Sequence, residues 1–230
     1  MFIGHYGVSL AAKRAAPRLS LGLLFLAVQF LDVVFSVLVL AGVEKLRIVP
    51  GFTQYNPYDL YWMPYSHSLL GGAVWSLLCG AAGFAILRRL PAHERVMAAA
   101  VLGAAVFSHF VLDALVHTPD LPLGLSAGST KIGLGLWNHR ALAVAAELAS
   151  LCAGGLLYLR WSQPRTKAAR MATGGFGLAL VALTVSTPFL PDPASGAAFA
   201  LQALAGYLAL AGAAWWVDRG RDPRAPAAEW

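Results

Sequence analysis

Charge is what this chain has least of. Only 12% of its 230 residues are Asp, Glu, Lys or Arg, against about 25% in a typical soluble domain. With 58% hydrophobic residues beside that figure, a water-soluble globular domain is excluded and the chain belongs in a bilayer. Cysteine is nearly absent as well. Cys79 and Cys152 both fall inside apolar stretches, so they read as small packing residues, and neither a disulfide framework nor a thiolate metal site is available. There is no internal repeat, no soluble domain and no low-complexity linker.

What the chain does have is long apolar runs. Six are long enough to span a membrane at about 20 residues each: roughly 20-43, 67-87, 96-117, 140-159, 171-190 and 196-217. The first follows Lys13, Arg14 and Arg18, as a signal peptide would, but it is longer than an h-region of ~7-15 residues and lacks a cleavage site, so it reads as a retained helix. The expected fold is an all-α integral membrane protein of about six transmembrane helices, preceded by a short N-terminal helix over 2-14. Residues 1-160 form a helical core that carries the polar residues. The two spans within 161-217 are accessory, and 218-230 is a disordered cytoplasmic tail.

The net charge of +6 is topological. Of the 17 basic residues, all but Lys45, Arg47, Lys131 and Arg140 fall on one side of the six spans. The positive-inside rule makes that side cytoplasmic and places both termini there, in an inner membrane. Nucleic acid is not the expected partner, because no basic patch is gathered to meet it.

An ionisable residue at membrane depth is costly and points to function. His109, Asp113 and His117 recur every four residues at the end of the third span, so on a helix they share a stripe. His109 and His117 stand ~12 Å apart along the axis, too far to hold one ion together, yet each can share an ion with Asp113. On the first span Gln29, Asp32 and Ser36 form one polar stripe, with Asp32 ~16 Å below the outer end near Val43. His67 opens the second span, between Ser66 and Ser68. Glu147 lies ~12 Å below the outer surface on the fourth span, with no basic residue within a turn of it on its own helix. His5 either dips into the membrane on a re-entrant helix or is solvated on an interfacial one. All but His5 fall in the outer half of the bilayer.

Several other residues carry alternative readings. Asp120 is a loop acid or a rim ligand, and His139 and His93 read as interfacial or solvated. The outer loop 44-66 holds Tyr55, Tyr58, Tyr61, Trp62 and Tyr65, which anchor the protein at the headgroups or line a lipid-binding mouth. The loop from Gly124 to Asn138 is a plain connector or approaches a substrate with Lys131, Trp137 and Asn138. The last two spans hold Ser186, Thr187, Gln202 and Tyr207 and read as scaffold.

Histidines and carboxylates without thiolate suit zinc, with manganese or iron as alternatives. Two ions ~3.5-4 Å apart would suit a phosphoester displacement.

The Gly4-His5 start, Asp32, the segment Ser66-His67-Ser68-Leu69-Leu70 and the segment Ser108-His109-x-x-x-Asp113 resemble the YdjM-type membrane-bound metal-dependent hydrolases over about residues 1-160. The ligand order is also similar to that of zinc-dependent phospholipase C. Where that family often carries a His-Arg pair, Trp62-Met63-Pro64 stand here. The resemblance implies that His5, Asp32, His67, His109, Asp113, His117 and Glu147 are metal ligands. The expected function is hydrolysis of a phosphoester or ester bond in a lipid or lipid-linked substrate at the outer leaflet, through a metal-activated water, with Glu147 or Asp32 as ligand or general base. A proton- or metal-coupled transporter and a non-catalytic scaffold are the alternatives. The transporter is disfavoured by the lack of visible repeats and broken helices. Oligomeric state is not readable from the sequence.

Overall fold

Side-chain caps set where several helices begin, in the computed structural model, which describes residues 1–223. Ser20, Ser68, Thr166 and Ser195 each accept a hydrogen bond from the backbone N–H three residues on, satisfying a donor that the first helical turn leaves open. The helices so started are α2 (Leu21–Val28), α4 (Leu69–Ile86), α7 (Lys167–Ser186) and α8 (Gly196–Asp218). The others are α1 (His5–Ala12), α3 (Phe30–Leu40), α5 (Ala92–Val116) and α6 (Arg140–Trp161).

Among the described residues five helical segments are long and apolar enough to cross a membrane, and α2 with α3, bent by 57°, passes the same test as a pair, for five to six candidate spans. Their outward faces expose large apolar side chains such as Leu77, Ile86, Met171 and Leu178. Water would penalise that surface and lipid does not. The chain is an all-α membrane protein.

Three two-stranded antiparallel sheets join chain segments at the helix ends among the described residues: β1 (Lys45–Ile48) with β2 (Tyr58–Trp62), β3 (Leu121–Pro122) with β4 (Lys131–Ile132), and β5 (Ser162–Pro164) with β6 (Arg221–Pro223), the last pairing strands on either side of α7 and α8. The last one corrects the expectation of a disordered tail from residue 218. Asp218 accepts from Lys13 Nζ at 2.7 Å and from Tyr158 Oη at 3.0 Å, and β6 pairs with β5. The remainder of that tail, 224-230, lies outside the described residues.

The first span is not the single helix expected. It breaks at Gln29, whose backbone (φ −98°, ψ 8°) leaves the helix. The carbonyl of Val28, exposed by that break, accepts from His109 Nδ1 at 2.7 Å. A tertiary partner thus replaces the lost ladder contact, which apolar periodicity cannot reveal.

The short N-terminal helix is enclosed. Helix α1 packs against α2, α5 and α6, and His5, Tyr6, Gly7, Ser9 and Leu10 are buried. The solvated interfacial placement of His5 is therefore excluded. Close approach is possible because Gly7 of α1 meets α6 at Gly154 and Ser150: a Cβ on Gly154 would strike the Gly7 carbonyl, and one on Gly7 the Ser150 carbonyl. Ser150 Oγ also donates to Gly4 O at 2.7 Å.

Candidate metal centre

His5 enters the bundle on α1, Asp32 on α3 just past the break, His67 immediately before α4, and His109, Asp113 and His117 along the end of α5. The structure brings these six together. Asp32 Oδ1, His67 Nε2 and His109 Nε2 form a triangle with edges of 3.2, 3.3 and 3.5 Å. Asp113 Oδ2 lies 3.0 Å from His109 Nε2, 3.4 Å from His117 Nε2 and 3.6 Å from His67 Nε2. Its other oxygen, Oδ1, is 3.4 Å from His5 Nε2 and 2.6 Å from the Met1 nitrogen. The His5 and His109 rings stack at 4.0 Å. Two overlapping groups could each hold an ion, Asp32/His67/His109 and His5/His109/Asp113.

Whether this set fits a metal is decided by the far side of each ring. His109 Nδ1 faces the Val28 carbonyl, which can only accept, so that nitrogen carries the proton. His117 Nδ1 faces Asp120 Oδ1 at 2.8 Å and donates in the same way. His67 Nδ1 is 2.7 Å from Ser66 Oγ, whose own proton goes to Glu44 Oε2 at 2.5 Å, so His67 also donates there. As neutral rings, all three aim an Nε2 lone pair at carboxylate oxygens and, for His67 and His109, at each other. The Met1 amine already serves Asp113 Oδ1, and the acceptors that remain are of the kind a bound cation satisfies. Ligands in a tetrahedron at about 2.0-2.1 Å from an ion stand ~3.3-3.4 Å apart, and the edges of the first triangle bracket that value. The donor set and its spacing fit a divalent ion, with Ser66, Asp120 and Val28 fixing the rings as orienting partners do. His5 is less determined, because carbonyls face both its nitrogens, Phe2 O at 3.3 Å and His109 O at 3.4 Å.

Glu147 is placed differently. Its carboxylate accepts from Phe2 N at 3.1 Å, Gly4 N at 3.0 Å and Tyr55 Oη at 2.8 Å, and it belongs to neither ion-holding group. It clamps the N-terminal segment that presents His5. Burial, then the neighbouring Glu147 carboxylate, raises the Tyr55 phenol far above its usual range, so Tyr55 stays protonated and keeps donating.

Among the loop candidates, Trp137 reaches the site. The chain after α5 folds back, Gly135 N donating to His117 O at 2.7 Å from a left-handed turn (φ +73°) that glycine adopts without penalty. Trp137 then lies over the His117 ring at 4.1 Å and stacks on Tyr55. Lys131 instead donates to Tyr61 O from an exposed position, and Asn138 is exposed beside Gly135; neither lines the cavity described next.

A cavity of about 600 Å³ opens on the cluster, touching Asp32, His67, Asp113 and His117. Tyr55 and Tyr58 line it, so part of the aromatic outer loop forms a mouth. The last two spans contribute too, correcting the scaffold reading. Tyr207 of α8 donates to Asp32 Oδ2 at 2.9 Å, and Thr187 and Gln202 line the same cavity. Sequence reasoning passed over two partners, Glu44 and Tyr207. Glu44 follows a span and looks like the start of a solvated loop, yet it is 1% exposed, and accepts from Tyr65 N and Ser66 N as well as Ser66 Oγ.

Comparison with protein-family models, with curated proteins and with solved structures finds no match. The class is therefore set by fold and site alone: an all-α membrane protein with a buried histidine–aspartate cluster able to hold a metal ion.

Proposed function

We propose that this protein is a membrane-embedded hydrolase that uses one or more divalent ions, zinc before manganese or iron, to cleave a phosphoester or ester bond of a lipid or lipid-linked substrate at the outer leaflet. The observation that carries the reading is the triangle of Asp32 Oδ1, His67 Nε2 and His109 Nε2, which meets a cavity through Asp32 and His67 and is spaced as one face of a ligand tetrahedron. The resemblance to the YdjM-type hydrolases supports the same reading. When bound, the ion supplies Lewis acidity and makes water a nucleophile near neutral pH.

The chain's own groups then divide the work. Asp113 faces both groups of ligands with separate oxygens and can serve both. Asp32 is a ligand through Oδ1 and, as a cavity-lining carboxylate, is the group placed to take a proton; the Tyr207 hydroxyl fixes its orientation through Oδ2. Glu147, with three donors on its carboxylate, positions the N-terminal segment. The positive-inside pattern supports the outer-leaflet placement of the cluster.

Elemental analysis of purified protein tests the reading. At least one zinc, manganese or iron per chain is expected, together with hydrolysis of a phosphoester lipid that chelation removes and zinc restores. Protein that is metal-free and gains nothing from any of the three metals would sink it.

The broken first span favours one second reading. Interrupted helices carrying an acid at mid-membrane are a feature of transporters, and Asp32 sits one turn past the Gln29 break. Metal uptake into proteoliposomes that Asp113→Asn abolishes, with no hydrolysis detected, would decide for transport.

A further inference from the structure

Trp137 has a buried indole nitrogen with no hydrogen-bond partner. The residue is 6% exposed, lines the 600 Å³ cavity and lies against His117. A buried Trp normally finds an acceptor for its N–H, and the described residues supply none. Nearby on the cavity wall is Arg140, the one Lys or Arg among the described residues that lines it, held by Gln54 O at 2.7 Å with its guanidinium 5.1 Å from the centre of the Phe189 ring. A ligand oxygen carrying negative charge satisfies both donors and can face the cluster.

A second wall, mostly apolar with Thr187 and Gln202 as polar members, belongs to the last two spans. On α8, Phe199, Ala203, Gly206, Tyr207 and Leu210 recur at helical spacing along one stripe of the cavity, faced by Leu183 of α7. The small residues leave room, and a Cβ placed on Gly206 meets nothing within 4 Å. Leu190, also on the wall, is 58% exposed, so the space reaches the outside of the bundle at that side. Asp192 near Tyr58 is the carboxylate at this rim.

We infer that the cavity binds one amphiphile end-on, its phosphate-like oxyanion head accepting from Trp137 Nε1 and Arg140 beside the cluster, and its hydrocarbon chain lying in the α7–α8 groove. This deepens the hydrolase reading and rests on it for the identity of the substrate, but binding itself does not require turnover. The cavity volume lies within the ~300-1,000 Å³ of sites that enclose small ligands. The groove selects for a chain, and the tryptophan for an oxygen-rich head.

The test is a calorimetric titration of zinc-loaded protein in detergent, with empty micelles as reference, using tetradecylphosphonate, whose C–P bond resists hydrolysis, and inorganic phosphate. The phosphonate should bind at least tenfold more tightly than phosphate. Gly206→Leu should weaken the phosphonate tenfold or more and leave phosphate binding and zinc content unchanged. Trp137→Phe, which keeps the ring and removes the N–H, should weaken both ligands by about tenfold at equal zinc content. Equal affinity for the two ligands, or a phosphonate affinity indifferent to both substitutions, overturns the inference. Should Gly206→Leu fail to hold zinc, Ala203→Leu takes its place under the same criteria. Failure of the two readings is distinguishable: phosphonate binding as described with no lipid hydrolysis rejects the hydrolase alone, whereas hydrolysis unaffected by Gly206→Leu and Trp137→Phe rejects this site alone.

Discussion

Asp113 faces four histidine nitrogens and an amine with two oxygens. Replacing one of those oxygens by an amide removes half of that capacity and adds N–H groups that no ligand set of this kind uses. Asp113→Asn should therefore lower bound metal to less than half of the wild-type content, measured by elemental analysis on folded protein. Glu44 acts at one remove, through Ser66 to His67 Nδ1. Orienting partners of this kind are worth about 10-100-fold in metal affinity, so Glu44→Gln should weaken zinc by that factor in a chelator competition without abolishing binding. Unchanged affinity would mean that His67 is oriented by packing alone. Tyr55→Phe strips a donor from a buried carboxylate; a loss of ~1-3 kcal/mol should register as a lower midpoint of thermal unfolding.

At the scale of elements, α1 is the piece whose placement the site depends on most. It carries His5, it is only 8 residues long, and so short a helix owes its stability to packing rather than to its own hydrogen bonds. The packing is a backbone-to-backbone approach at Gly7 and Gly154. A methyl group there pushes α1 away from α6, at a cost of ~1-3 kcal/mol for overpacking. Gly154→Ala should reduce both the unfolding midpoint and the metal content, although it touches no ligand. The break between α2 and α3 is the second such device: it frees the Val28 carbonyl that fixes the His109 ring.

For the whole molecule the charge pattern makes a prediction about direction. The cluster lies at the end of the bundle where α5 finishes and α4 and α6 start, and Arg88, Arg89 and Arg165 follow the opposite ends of α4 and α6. With Cys79 and Cys152 replaced by alanine, a cysteine at Lys131 should react with an impermeant maleimide in intact cells, and one at Arg165 only after permeabilisation. The reverse pattern would turn the protein over and move the site to the inner leaflet. Metal removal should also act on the molecule as a whole, because a ligand that binds only the folded state contributes ~2.7 kcal/mol at a hundredfold excess over its dissociation constant. Chelation should lower the unfolding midpoint, and zinc should restore it.

Much of this was legible because hydrophobic length and charge asymmetry are local properties. The sequence alone determined a helical membrane protein, the rough limits of five spans, and the candidates His5, Asp32, His67, His109 and Asp113, since a polar residue in an apolar run is conspicuous wherever it folds. A helix converts residue count into height, so residues on different spans can be compared for level before their packing is known. Tertiary structure alone decided lateral position, which count does not encode: that Glu147 turns to Phe2, Gly4 and Tyr55, that α1 is enclosed, and that Tyr207 of a supposed scaffold reaches Asp32. It also decided which nitrogen of the His67, His109 and His117 rings bears a proton, because that depends on the groups each ring meets, the Val28 carbonyl of a distant segment above all. Spacing along one helix places ligands at a common height; only the packing of the other helices makes them meet.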